Sequence, residues 1–142
     1  MMEEGKVGMM CISRLSEDED LADGIKKKVE ESGVKAGAIF VIGALKQMVA
    51  GCLKDGEYKL ISIEGPLEIA SCIGNIAVDE KGEVAIHAHL VASNEKGGAF
   101  GGHLMQGCRV GVTAELVIIE AVGVKLKRVT NEKTRFRLLQ LG

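Results

Sequence analysis

The chain has 142 residues, of which 46% are hydrophobic and 27% charged, values that describe a single globular domain able to bury a core. Only 3% are aromatic and there is no Trp, which excludes the stacked-aromatic platforms that bind single-stranded nucleic acid. The formal charge of −2 gives no bulk attraction for DNA or an anionic membrane, and one proline, Pro66, excludes Pro-rich linkers and low-complexity tails.

In chain order, Lys6–Arg14 reads as a first strand. Ser16-Glu17-Asp18-Glu19 has the form of a capping box, with Ser16 as N-cap and Glu19 as its reciprocal partner. Leu21, Ile25 and Val29 then recur on one helical face, and Gly33 supplies the stop. Lys26–Lys28 falls on the solvated back of this helix; the other reading is a phosphate patch. From Ala36 onward the pattern is strand: Ala36–Leu45, Met48–Lys54, an Asp55-Gly56 hairpin turn, and Tyr58–Glu64. Gly65-Pro66 reads as a chain break. Leu67–Val78 follows, with a bulge or bend expected at Gly74-Asn75. Asp79–Gly82 is a turn and Glu83–Ala92 a strand. Residues 93–102 read as a long Gly-rich loop, Arg109–Val122 as a long strand and Lys133–Leu141 as an alternating one. One helix and about seven strands predict an α+β fold, a single domain over residues 1–142 with a largely antiparallel sheet.

Charge is unevenly placed. Residues 1–24 hold two basic and seven acidic side chains, and residues 121–142 hold six basic and one acidic. The basic set is Lys125, Lys127, Arg128, Lys133, Arg135 and Arg137. Its plain reading is a solvated face or mutual attraction of the termini; its functional reading is a rim for an anionic partner. Cysteines 11, 52, 72 and 108 are widely spaced in apolar stretches and include no C-x-x-C. They read as small buried hydrophobes in a reducing compartment. Glu3 and Glu4 stand where a signal peptide carries positive charge, and the apolar stretch Ala36–Leu53 is broken by Lys46 and Gln47. The expectation is a cytoplasmic protein without a membrane span.

The chemistry is concentrated in one window. All three histidines of the chain lie between 87 and 103, in Ile86-His87-Ala88-His89-Leu90 and Gly101-Gly102-His103-Leu104. On a strand, residues i and i+2 point to one face about 6–7 Å apart. His87 and His89 can therefore converge on one ion, with His103 arriving from the Gly-rich loop as a third ligand. Three imidazoles suit zinc or another divalent transition metal and leave a position for water or substrate. The plainer reading is a polar cluster, with His103 capping a turn. If the site is catalytic, Glu68 and Glu115, acids set within apolar strands, are the acid–base candidates. The run Gly97–Gly102 lacks the G-K-[ST] of a phosphate loop. A cupin would require a carboxylate soon after the H-x-H, whereas Glu95 comes late.

Several segments together resemble a known family: Ile42-Gly43-Ala44, Gly65-Pro66-Leu67-Glu68-Ile69-Ala70-Ser71, Gly74-Asn75, His87-Ala88-His89, Gly101-Gly102-His103-Leu104 and Ala114-Glu115-Leu116. This succession is similar to the plants-and-prokaryotes conserved (PPC) domain, also called PD1-like or DUF296, from about residue 6 to 140. The resemblance implies a compact α+β domain that assembles as a homotrimer. In plants the domain is joined to AT-hooks, Arg-Gly-Arg-Pro minor-groove binders; here the one proline follows Gly65. The plant partner-contact segment Gly-Arg-Phe-Glu-Ile-Leu corresponds to Gly65-Pro66-Leu67-Glu68-Ile69-Ala70, without its Arg. A more distant fold similarity, to acetolactate decarboxylase, implies a zinc set of His87, His89 and His103. The expectation is thus a homotrimer with a three-His metal site and a small anionic ligand. The alternative is a DNA-associated module using the basic C-terminal strand, with weak nucleic-acid binding.

Overall fold

Alternating apolar residues resolve into eight strands and one helix in the computed structural model, which describes residues 2–141. Strand β1 (Lys6–Ser16) leads through a short turn into α1 (Leu21–Ser32). The helix cap is Asp20, not Ser16: its carboxylate accepts from the Asp23 amide at 3.0 Å and from the Gly107 amide at 2.6 Å. Glu19 does accept from the Ser16 amide, but Ser16 is still the last residue of β1 and its side chain caps nothing. Gly33 ends the helix in the left-handed region, as expected, with φ 77°.

The two long hairpin strands are each continuous. Strand β2 (Gly37–Lys54) joins the two predicted segments, and β3 (Glu57–Val78) runs straight through Gly65-Pro66. The register shows why no break is needed. Leu45 faces Leu67 and Gln47 faces Glu64, so Gly65 and Pro66 stand opposite Lys46 alone. The proline's missing N–H therefore falls in a bulge rather than in the ladder. At Gly74-Asn75 there is no bulge; the irregularity lies between Ile69 and Ser71. Gly74 instead lets β3 approach β4 (Val84–Ser93): a Cβ there would meet the His87 carbonyl and lie 2.7 Å from the Ala88 side chain.

The predicted loop 93–102 is half strand. Asn94 accepts from the amides of Lys96 and Gly98, closing a tight turn, and β5 (Ala99–Leu104) pairs back on β4. Strand β6 (Arg109–Val122) is as expected. The C-terminal segment is a hairpin, β7 (Leu126–Thr130) and β8 (Arg137–Leu141), with its turn held by the Asn131 carboxamide oxygen. Strand β7 is too short to stand out in the sequence.

The sheet order is β1-β6-β2-β5-β4-β3-β7-β8, and β2 also pairs with β3, so β2, β5, β4 and β3 close on one another. All pairings are antiparallel except β3–β7, at Val78 and Lys127. Leu21, Ile25 and Val29 of α1 pack with Leu15, Ile39, Leu45, Leu90, Leu116 and Ile118 in one core. The acidic N-terminal segment does not ion-pair with the basic C-terminal one among the described residues. Glu17 and Asp18 pair with Lys46 at 2.6 and 2.8 Å, and Arg137 lies 4.0 Å from Asp79. No helix among the described residues is long and apolar enough to cross a membrane.

Candidate metal centre

Along β4 the even positions Ala88, Leu90 and Ala92 are buried, which turns the odd positions to the outer face of the sheet. His87 and His89 therefore share that face. His103 is on β5 rather than in a loop, directly across the ladder from His89. The rings stand close: centroids are 5.1 Å apart for His87–His89, 4.9 Å for His87–His103 and 5.5 Å for His89–His103. One nitrogen from each ring lies within 4.8 Å of the other two. Tetrahedral zinc places its nitrogens about 3.3 Å apart, so small ring rotations suffice.

Two properties favour a metal over a plain polar cluster. The His103 Nδ1 atom is buried and has no hydrogen-bond partner. A buried ring nitrogen without a partner is costly unless something outside the chain satisfies it. His87 is also held in the ligand-ready neutral form: burial, then the nearby Arg128 charge, then the other histidines push its pKa down to about 4. His103 is lowered as well, by burial first, then by His89 and Arg128. Metal ligation requires the unprotonated ring, so both are prepared for it at neutral pH.

The surroundings come from β3 and the C-terminal hairpin. The Tyr58 ring lies against His103 at 4.8 Å and is itself met edge-on by Phe136 at 6.0 Å. Gly51 makes room for this stack, since a Cβ there would lie 2.9 Å from Tyr58. Arg128 of β7 reaches His87, with Nη2 3.0 Å from Nδ1, and donates to Asn75 Oδ1 at 2.7 Å. The sequence placed Arg128 among the outward basic residues; in the fold it is turned inward. His87, His103 and Arg128 line a cleft of about 920 Å³ between β4, α1 and the hairpin.

Glu68 and Glu115 are not brought to this cleft. Both are exposed on outer strand faces. Glu68 faces Ser93, so it shares the histidine side of the sheet but lies four residues, about 13 Å, beyond His89 along β4. Glu115 sits on β6 between Arg14 and Ile42. Asn75 and Tyr58 were not singled out from the sequence as site residues, and Arg128 was read there only as one of a basic rim. Only Asn75, in register with His87, has a position that pairing of adjacent strands could have exposed.

A small closed sheet with three convergent imidazoles on its outer face defines an α+β protein with a candidate metal centre. The chain belongs to the Plants and Prokaryotes Conserved (PCC) domain family, whose model matches residues 2–122. The fold matches that of a plant- and prokaryote-conserved protein from Pyrococcus horikoshii, with a TM-score of 0.88 and 32% identity over 99% of this chain and 96% of that one. It equally matches a protein from Archaeoglobus fulgidus described as metal-containing, with a TM-score of 0.87 and 28% identity over 99% of each chain. In sequence it is 26% identical over 129 residues to the bifunctional protein GlmU of a Synechococcus strain, covering 90% of this chain and 20% of that one. The chain thus spans about a fifth of the length of the curated relatives it matches. Acetolactate decarboxylase from Bacillus subtilis subspecies spizizenii shares the fold alone, with a TM-score of 0.52 and 13% identity over 92% of this chain and 59% of that one.

Proposed function

We propose that this chain is a metal-binding PCC-domain protein in which His87, His89 and His103 hold a divalent transition metal, with zinc the best fit to three imidazoles, and present it to a small anionic ligand. The observation that carries this reading is the convergence of three imidazole nitrogens within 4.8 Å of one another. The orphaned His103 Nδ1 and the metal-containing Archaeoglobus relative support it. Such an ion, when bound, supplies Lewis acidity and an open coordination position. The protein's share is to keep the His87 and His103 rings neutral, to fix all three by strand pairing, and to place the Arg128 charge beside them.

We further propose a homotrimer in the cytoplasm. Association is supported by the outer sheet face, where Ile12, Phe40, Ile42, Ile73 and Val112 are all exposed. Large apolar side chains exposed in this number are commonly covered by a partner; the number three rests on the family resemblance. The compartment rests on four free cysteines. In such an assembly Glu68 or Glu115 serves as acid or base only if it is presented to the cleft of a neighbouring subunit. The nucleic-acid reading has less support, because Arg128 is withdrawn from the basic set.

Elemental analysis of untagged protein purified without chelators tests the metal reading. About one zinc or similar ion per chain is expected. No stoichiometric metal, with added Zn²⁺ changing neither Tm nor the histidine NMR signals, reduces the three histidines to a polar cluster.

A further inference from the structure

Arg128 is the one charged side chain that is buried among the described residues, at 8% exposure. Its guanidinium is fixed on several sides. Nη1 donates to the Arg137 carbonyl at 3.1 Å, and Nη2 donates to Asn75 Oδ1 and lies against His87 Nδ1. Every one of these partners is uncharged or is itself a candidate metal ligand. Nε is buried and has no partner at all. Among the described residues no carboxylate lies within 4.0 Å of the guanidinium; the acid on the same wall, Asp79, is the partner of Arg137. A buried cation without a counter-charge is costly. The fold nevertheless aims it at the cleft beside three histidines that would themselves carry a cation.

We propose that Arg128 is the binding residue for the anionic group of a small ligand, a carboxylate or a phosphate, seated in the cleft against the three-histidine cluster. Asn75 and the Arg137 carbonyl hold the guanidinium in place, and Tyr58 and Phe136 wall the position. Arg128 lies on the C-terminal hairpin, beyond residues 2–122 that match the family. The anion position therefore draws on a segment outside the residues that the family model matches, a segment that the solved Pyrococcus and Archaeoglobus structures also cover. The proposal rests on the preceding reading only for what lies at the other end of the ligand.

The test is titration of the protein with inorganic phosphate and, separately, acetate, as purified and after removal of metal. The readouts are binding isotherms and the NMR resonance of the Arg128 side-chain Nε–H. Saturable binding with a shift of that resonance is expected, and the tighter of the two probes identifies the anion class. In Arg128→Gln the dissociation constant rises at least about tenfold, the loss of a charge-assisted hydrogen bond. Arg128→Lys, which keeps the charge, retains part of the affinity. If wild type binds neither anion saturably, or binds with the Arg128 resonance unmoved, the proposal fails. It also fails if a folded Arg128→Gln binds as wild type does. Should that variant not fold, the wild-type resonance decides. Should the protein as purified hold no metal and respond to no added Zn²⁺, yet bind anion through Arg128, the metal reading falls and this one stands.

Discussion

His89 of β4 lies directly opposite His103 of β5 in an antiparallel register, with ring centroids 5.5 Å apart. The flanking pairs Leu90–Gly102 and Val91–Gly101 continue that ladder. Two of the three candidate ligands are thus fixed by backbone hydrogen bonds before any ion arrives. This differs from the expectation that His103 arrives from a loop. His89→Ala should lower zinc affinity at least about tenfold, with stability changed by under about 1 kcal/mol because the ring is exposed. Amide exchange along β5 should be the same with and without metal. Large protection of β5 by metal would show that the strand is not preformed.

In the metal-free protein His87 should titrate far below a free histidine. Its folded pKa is lowered to about 4, chiefly by burial, against about 6.5 in an unfolded chain. Between these values the unfolded chain binds a proton that the folded one does not. The stability contributed by the neutral ring is therefore fully present above pH 6.5 and is lost as pH falls through 4. The His87 Hε1 resonance should show its midpoint near the lower value. A midpoint at 6 or above would show that the ring is not desolvated.

Asp20, rather than Ser16, holds the start of α1. Asp20→Ala removes two acceptor contacts, to the amides of Asp23 and Gly107, and should cost about 1–2 kcal/mol in denaturant unfolding. Ser16→Ala should stay within about 0.5 kcal/mol. Equal losses would restore the capping box as the cap.

Gly74→Val should both destabilise the fold and empty the metal site. The added Cβ meets the backbone of β4 at His87 and Ala88, where neither neighbour can turn aside. A loss of more than about 2 kcal/mol is expected, with metal content falling in whatever fraction remains folded. A variant as stable as wild type and fully loaded would show that the β3–β4 approach does not position His87.

Duplex DNA should bind weakly and without sequence preference. With a net charge of −2 and Arg128 turned inward, a dissociation constant of about 10⁻⁶ M or weaker at physiological salt is expected. Nanomolar affinity for one sequence over a scrambled duplex would reverse the ranking of the two functional readings.

The sequence alone determined those features that depend on local chemistry. Leu21, Ile25 and Val29 fixed the buried face of the helix, and Gly33 its end. Asp55-Gly56 fixed the hairpin, and the spacing of His87 and His89 fixed their common face, because side-chain direction on a strand follows from a two-residue period. What depends on the partner strand was decided only by the tertiary structure. Pro66 continues a strand because it and Gly65 form a bulge opposite Lys46, and Gly74 is flat because β4 needs the close approach. The run 99–104 is a strand because β4 offers it a ladder. Arg128 illustrates the same limit most sharply. Its neighbours Lys127 and Val129 give no sign of its direction, and only the docking of the β7–β8 hairpin, which pairs with β3 solely at Val78–Lys127, carries the guanidinium to Asn75 and His87. Such contacts span 41 and 53 residues of chain, so no local pattern encodes them; they exist only when separate strands are packed together.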